Sequence, residues 1–229
     1  MTWRSLHVQI VSGNQLGSAC VQHIMKRLIA AAGAAFLVCA LAGWGETFGH
    51  CGDTLDAPLH PHESLTIDSR PAGIEVVGTD KEAITVTCTS NDAEVARHVK
   101  LRLMGAKLTI SGTHVRNGNL QIRVEVPRKT NLRVMVPAGE VKVEDVTGDK
   151  DIDVYAGQIT ISSTRDWDYR RIEASVDIGQ VNASAYGVSK GGFFRSFNNK
   201  SPDGEYRLWA HVITGQIDLI APQGLAKSE

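Results

Sequence analysis

Four copies of a short pattern in the second half of the chain limit the fold most strongly. The pattern is a glycine, then glutamine or glutamate, then three residues whose outer two are apolar, and its glycines are Gly139, Gly157, Gly179 and Gly215. They lie 18, 22 and 36 residues apart, and the long last interval predicts a degenerate copy within it. A period of about 20 residues made of strand, turn and strand is typical of stacked β-coils. We expect each glycine to form a repeat turn, where a positive φ or a close backbone approach excludes a side chain.

Alternation of apolar and polar residues dominates the chain from residue 64 onward, for example in residues 120–126 and 132–136. This period of two is typical of β-strands with one buried face. Residues 91–98 lack the alternation and predict one short helix with Asn91 as its N-cap. The expected fold class is all-β: a β-solenoid or β-helix-like stack of short strands with one short helix. An antiparallel meander or a two-sheet sandwich is the alternative.

Residues 25–42 have the order of a secretory signal peptide: a positive start after Met25, an uncharged apolar run over 28–41, and a small-x-small cleavage pattern. The run of 14 residues is short for a bilayer span. We therefore favour a cleaved signal over a retained membrane anchor. Residues 1–24 precede this signal, and we interpret them as a non-native leader with Met25 as the start; a real extended leader is the alternative.

The segments that follow the signal differ in composition. Residues 43–63 are rich in glycine, proline and histidine and are expected to form a linker. The alternating region, 64–222, is expected to form the β domain, and 223–229 a short tail. Cys51 and Cys88 are the cysteines that remain after removal of the signal. Because an exported compartment is oxidising, we expect them to form a disulfide, with two buried free thiols as the alternative.

The alternating region resembles the putative-adhesin domain family of bacterial envelope proteins, a family of unknown function. The resemblance covers residues 64–221 and is carried by the strand pair 124–134, the segment 146–149, the Gly157 repeat and the closing segments 204–206 and 214–217. It implies a signal peptide or anchor, a repetitive β-solenoid-like fold and an envelope location. Some members of the family are associated with envelope-stress systems. The resemblance supplies no catalytic residues.

Motifs that carry chemistry are few. The sequence contains no phosphate-binding loop and no zinc-protease helix motif, and we expect no metal and no cofactor. Exposed aromatic rings can stack on sugars or anchor a protein partner. Those of the C-terminal third form the candidate binding surface: Trp167, Tyr169, Phe193, Phe194, Phe197 and Trp209. The alternative is that these rings cover the open end of the stack.

These observations favour an exported, non-enzymatic envelope protein, adhesin-like, that presents a binding surface to an envelope protein or a surface glycan. The formal net charge of −1 provides no basic footprint for nucleic acid, and a membrane contact is expected only through an uncleaved signal segment. The expected location is the periplasm, the cell surface or the extracellular space. The second hypothesis is a periplasmic partner or structural component of an envelope-stress response. The third is a polysaccharide-active enzyme, for which Lys150, Asp151 and Asp153 are the local candidates.

Overall fold

The computed structural model describes residues 46–112, 120–162 and 168–221, which form an all-β structure with one short α-helix. Within these ranges, no helix is long and apolar enough to cross a membrane. The expected leader, signal segment and tail, 1–24, 25–42 and 223–229, lie outside the described residues.

The strands of the described ranges join one open sheet. Their bounds are β1 Glu46–His50, β2 Thr54–Pro58, β3 Ser64–Ser69, β4 Gly73–Thr79, β5 Ala83–Ser90, β6 Lys100–Met104, β7 Lys107–Ser111, β8 Leu120–Pro127, β9 Asn131–Glu144, β10 Lys150–Ser162, β11 Tyr169–Ala183, β12 Val188–Lys200 and β13 Tyr206–Ile220. The α-helix α1 spans Ala93–His98, and a 3₁₀ turn spans Ser184–Tyr186.

Two short elements differ from expectation. Residues 43–63, expected to be a linker, contain β1 and β2, and Leu55 of β2 and the nearby Leu59 are buried in the core. Two leucines in a segment rich in glycine and proline are too few to produce a recognisable period of two. The N-cap of α1 is Asp92 and not Asn91: the Asp92 carboxylate accepts hydrogen bonds from the backbone N–H groups of Glu94 and Val95.

The repeated strands lie side by side in the order β9, β10, β13, β11, and each of these neighbouring pairs is parallel. The order in space therefore differs from the order in the chain, because β13 lies between β10 and β11. The long interval between Gly179 and Gly215 contains β12, which pairs with β11 in the antiparallel direction and places Gly192 opposite Gly179. The degenerate copy expected there is thus a strand of opposite direction at the edge of the sheet.

The repeated glycines are register partners in neighbouring strands: Gly139 with Gly157, Gly157 with Gly215, and Gly215 with Gly179. Each lies inside a strand and not at a turn between strands. Their φ angles lie between 142° and 148°, a region that favours glycine. A Cβ on Gly157 would lie 1.8 Å from the carbonyl oxygen of Gly139, and one on Gly215 would lie 1.7 Å from that of Gly157. The missing side chains therefore let the backbones approach.

Inward-facing side chains on either side of the glycines form apolar rows that cross the strands. Their members are fully buried, and each fully buried valine or isoleucine contributes about 1.5–3 kcal/mol to stability. One row is Val134, Ile152, Ala210 and Ala174, and another is Val141, Ile159, Ile217 and Val181. The alternate residues face outward, where they are available for binding.

A disulfide joins Cys51, which follows β1, to Cys88 of β5, across 37 positions of the chain. It links the end of the edge strand β1 covalently to the interior strand β5. We expect the double variant Cys51→Ser/Cys88→Ser to lose about 3 kcal/mol of the free energy of unfolding, because the cross-link restricts the unfolded chain. Urea unfolding with and without a reductant measures this loss. A midpoint that neither the double substitution nor the reductant lowers would contradict the prediction.

Candidate binding groove

A shallow groove of about 740 Å³ lies on the outward face of β3, β9, β10, β13 and β11. Successive side chains of a strand point to opposite faces, so each of these strands contributes alternate residues to the groove. Its central row consists of register partners on the five strands: Thr66, Arg133, Asp151, Trp209 and Glu173. The groove is therefore assembled from five segments that are far apart in the sequence.

One of the residues that line this groove, Trp209, has an aromatic side chain, and 38% of its surface is exposed. It lies between Asp151 of β10 and Glu173 of β11 in the register of the sheet. The ring of His211, the next outward residue of β13, lies 5.7 Å from the Trp209 ring. A large, partly exposed ring next to a second ring is a suitable anchor for a ligand.

The charged side chains around Trp209 include both signs. The Nε atom of Arg133 lies 3.8 Å from the Asp151 carboxylate, and Nη2 of Arg171 donates a 2.6 Å hydrogen bond to Glu173. Both pairs are exposed to solvent, so each contributes at most about 1 kcal/mol to stability. The groove thus combines hydrogen-bond donors and acceptors with an aromatic face, and it favours a polar ligand of low net charge over a strongly acidic or basic one.

His211 continues the polar surface along β13. Its Nδ1 atom lies 3.3 Å from Asp153 and its Nε2 atom lies 3.6 Å from Asp177, so the ring bridges two carboxylates. These contacts limit rotation of the imidazole beside Trp209. Among the described residues, no group of three or more histidine, cysteine, aspartate and glutamate side chains is placed to hold a metal ion.

Lys150 points away from Asp151 and Asp153, with which the enzyme hypothesis grouped it. Only 2% of its surface is exposed, and its Nζ atom donates to the carbonyl oxygens of Val146 and Gly148 and to the hydroxyl of Tyr169. Burial lowers the pKa of Lys150 to about 7, although nearby carboxylates act in the opposite direction. The structure therefore separates the three candidates, because alternation along β10 sends Lys150 inward and the two aspartates outward.

Two aromatic residues expected on the binding surface are buried. Tyr169 receives the hydrogen bond from Lys150, and burial raises the pKa of its hydroxyl. Phe197 is the buried residue of β12, and its ring centroid lies 4.8 Å from that of Tyr186. Neither ring is available to a ligand, and Phe197 instead packs against the core at the edge strand β12. Burial of Phe197 on the edge strand β12 is compatible with the alternative that some of these rings cover the core.

The remaining expected aromatic residues separate into two places. Trp209 lies in the groove, whereas Phe193 and Phe194 are exposed on β12 at the edge of the sheet. Trp167 lies outside the described residues. The partners of Trp209 in the groove, Arg133 and Glu173, were not singled out from the sequence. Alternation predicts that each faces outward, but only the strand register reveals that they are neighbours.

The other outward face of the repeats carries a polar cluster around Asp218 of β13. Its largely buried carboxylate accepts hydrogen bonds from the side-chain amides of Gln158, Gln216 and Asn182, at 2.6–3.2 Å. These amides satisfy the oxygens that burial would otherwise leave unpaired. We interpret the cluster as structural, because its polar groups are directed at one another.

The fold and the groove define a class: an all-β protein with aligned parallel strands and a mixed-charge groove around one tryptophan. No protein-family model matches the sequence, and no curated protein matches it either. The chain is similar to the crystal structure of a "putative cell adhesion protein" from Clostridium sporogenes, with 12% identity and a TM-score of 0.40, over 75% of this chain and 99% of that one. It is also similar to the crystal structure of a "putative lipid binding protein" from Parabacteroides distasonis, with 7% identity and a TM-score of 0.22. This similarity covers 72% of this chain and 96% of that one.

Proposed function

We propose that this chain is an exported, non-enzymatic envelope protein that binds a glycan in the groove around Trp209. The observation that carries the proposal is the partly exposed Trp209 side chain between Asp151 and Glu173 in the register of the sheet. A flat aromatic face accepts the apolar face of a sugar ring, and the flanking carboxylates and guanidinium groups accept from and donate to its hydroxyls. A site of this kind binds by shape and hydrogen bonding and needs no metal or cofactor.

The repeated strands fit successive coils of a β-solenoid, the architecture we propose for the domain. β9 has 14 residues, about 46 Å if it were straight, yet the start of β10 pairs with the start of β9. The five residues between the two strands, 145–149, span about 20 Å at most. This connection is short enough only if each strand folds back on itself near its central glycine. A stack of such coils offers an extended flat face, which suits contact with a polymer.

A non-enzymatic role also fits the carboxylates of the groove. Glycoside hydrolysis requires one carboxyl group that acts as an acid and a second that acts as a base or nucleophile. Here Asp151 lies 3.8 Å from Arg133 and Asp153 lies 3.3 Å from His211, and both aspartate side chains are about half exposed, at 50% and 52%. Neither carboxyl group therefore lies in an apolar pocket of the kind that surrounds the general acid of a glycoside hydrolase.

Replacement of Trp209 tests the groove directly. We expect Trp209→Ala to weaken binding to the glycan that the wild-type protein selects on an array of envelope polysaccharides by at least about tenfold, or 1.4 kcal/mol. The reason is loss of the aromatic anchor, and titration calorimetry measures it. The matched control is Tyr155→Ala, because Tyr155 is 62% exposed on β10 and does not line the groove.

Binding that persists in Trp209→Ala, or that falls equally in Tyr155→Ala, would contradict the proposal. Absence of glycan binding together with capture of a single envelope protein, unaffected by Trp209→Ala, would instead support the hypothesis of a periplasmic partner. Release of shortened polysaccharide by the wild-type protein would support the enzyme hypothesis, provided that Asp151→Asn or Asp153→Asn abolishes the release.

A further inference from the structure

Two consecutive phenylalanines protrude from the edge strand β12. Phe193 is 67% exposed and Phe194 is 80% exposed, although most residues of this size and type are buried in folded proteins. Phe193 pairs with Ile178 of β11, which is also exposed. These three exposed apolar side chains lie at one edge of the sheet, and we name them the β12 corner.

The backbone of the β12 corner is unusual. Residues 189–196 of β12 are all exposed, so both phenylalanines reach solvent whichever face of the strand each one points to. Phe194 has a φ of 50° and Gly192 a φ of 121°. A left-handed conformation is a true outlier for a bulky residue and costs about 1–2 kcal/mol. The strand therefore accepts strain where it displays two apolar rings to solvent, and such strain is concentrated at functional sites.

The charges of β12 bear on what could cover this corner. Its 13 residues include Lys190, Arg195 and Lys200 and no acidic residue. Lys190 donates a 3.1 Å hydrogen bond to the carbonyl oxygen of Ser196, and Nε of Arg195 donates a 2.9 Å bond to that of Gly191. These bonds hold two cations beside the exposed rings. Cations next to exposed apolar rings match an anionic lipid surface, in which phosphates lie directly above the acyl chains.

We propose that the β12 corner inserts Phe193 and Phe194 into the surface of an anionic bilayer, with Lys190 and Arg195 at the level of the phosphates. A second copy of the chain, paired edge to edge through β12, is disfavoured because it would bring the same three cations of two strands together. The contact is separate from the groove: Trp209 pairs with Glu173, five register positions from the pair Ile178–Phe193. The sequence indicated a membrane contact only through the signal segment.

Co-sedimentation with vesicles tests this proposal. We expect the wild-type protein to bind vesicles of phosphatidylcholine that contain about a quarter phosphatidylglycerol, and to bind pure phosphatidylcholine at least about tenfold more weakly. Phe193→Ser/Phe194→Ser should reduce binding to the anionic vesicles at least about tenfold, because apolar insertion is lost. The matched control is Phe48→Ser, because Phe48 is also 67% exposed but lies on β1 at the opposite edge of the sheet.

Lys190→Gln/Arg195→Gln should weaken binding to anionic vesicles and leave binding to neutral vesicles unchanged. Trp209→Ala should sediment with the vesicles as the wild-type protein does. Failure of the lipid proposal and failure of the glycan proposal are therefore distinguishable. The proposal is overturned if the wild-type protein does not sediment with anionic vesicles, or if Phe193→Ser/Phe194→Ser sediments as the wild-type protein does. It is also overturned if the double phenylalanine variant abolishes dimerisation in sedimentation velocity without vesicles, because a second copy would then be the occupant.

Discussion

Gly157→Ala is expected to lower the free energy of unfolding by about 4 kcal/mol or more, which is an exceptional loss for a single methyl group. The new Cβ would lie 1.8 Å from the carbonyl oxygen and 2.8 Å from the carbonyl carbon of Gly139. Both are backbone atoms of the neighbouring strand, so no side chain can move aside. The φ of 148° at Gly157 adds strain for any residue with a Cβ.

The matched control is Gly187→Ala. Gly187 also has a positive φ, 66°, but nothing lies within 4 Å of its added Cβ. The left-handed conformation alone should cost about 1–2 kcal/mol there. Urea unfolding of both variants separates conformational strain from steric overlap. Equal losses for Gly157→Ala and Gly187→Ala would contradict the close approach of the strands at the repeated glycines.

Stability is expected to increase by about 3 kcal/mol between pH 7 and pH 10 because of Lys150. The pKa of Lys150 is about 7 in the folded protein, against an ordinary value of 10.5. Between these values the unfolded chain binds the proton and the folded protein does not, so stability rises with pH by up to about 1.4 kcal/mol per unit. Below pH 7 both states are protonated, and the folded state carries the full cost of a buried ammonium group.

Chemical unfolding at intervals of one pH unit, in the wild-type protein and in Lys150→Met, measures this effect. Lys150→Met should remove the slope, since a thioether does not titrate, whereas Lys129→Met at an exposed position should retain it. The rise should end near pH 10, because burial raises the pKa of Tyr169 and the unfolded chain then loses its phenolic proton first. A slope that is the same in Lys150→Met and in the wild-type protein would contradict the assignment.

Several features of the fold could be predicted from short stretches of sequence. The alternation in residues 120–126 and 132–136 predicts the strands β8 and β9 and their buried faces. The spacing from Gly139 to Gly157 equals the register shift between β9 and β10. Both follow from local physics. A period of two sets the buried face of a strand, and a repeated glycine marks a position where a positive φ or a close backbone approach excludes a side chain.

The site could be predicted less completely. Trp209, Phe193 and Phe194 were singled out from their residue type, but so were Tyr169 and Phe197, which are buried. An aromatic ring in an alternating segment is equally compatible with either face when the register of its strand is unknown. The charged partners of the groove come from other strands, so no motif in the sequence joins them to Trp209.

The sequence by itself determined the all-β class, the positions of the repeated glycines and the alternation that supplies each strand with one apolar face. Only the tertiary structure decided that β13 lies between β10 and β11, that β12 runs in the opposite direction, and that Lys150 points into the core. The physical reason is the distance along the chain over which each property is determined. Side-chain periodicity is a property of neighbouring residues, whereas strand order and register depend on pairings between segments tens of residues apart, whose energies no single segment contains.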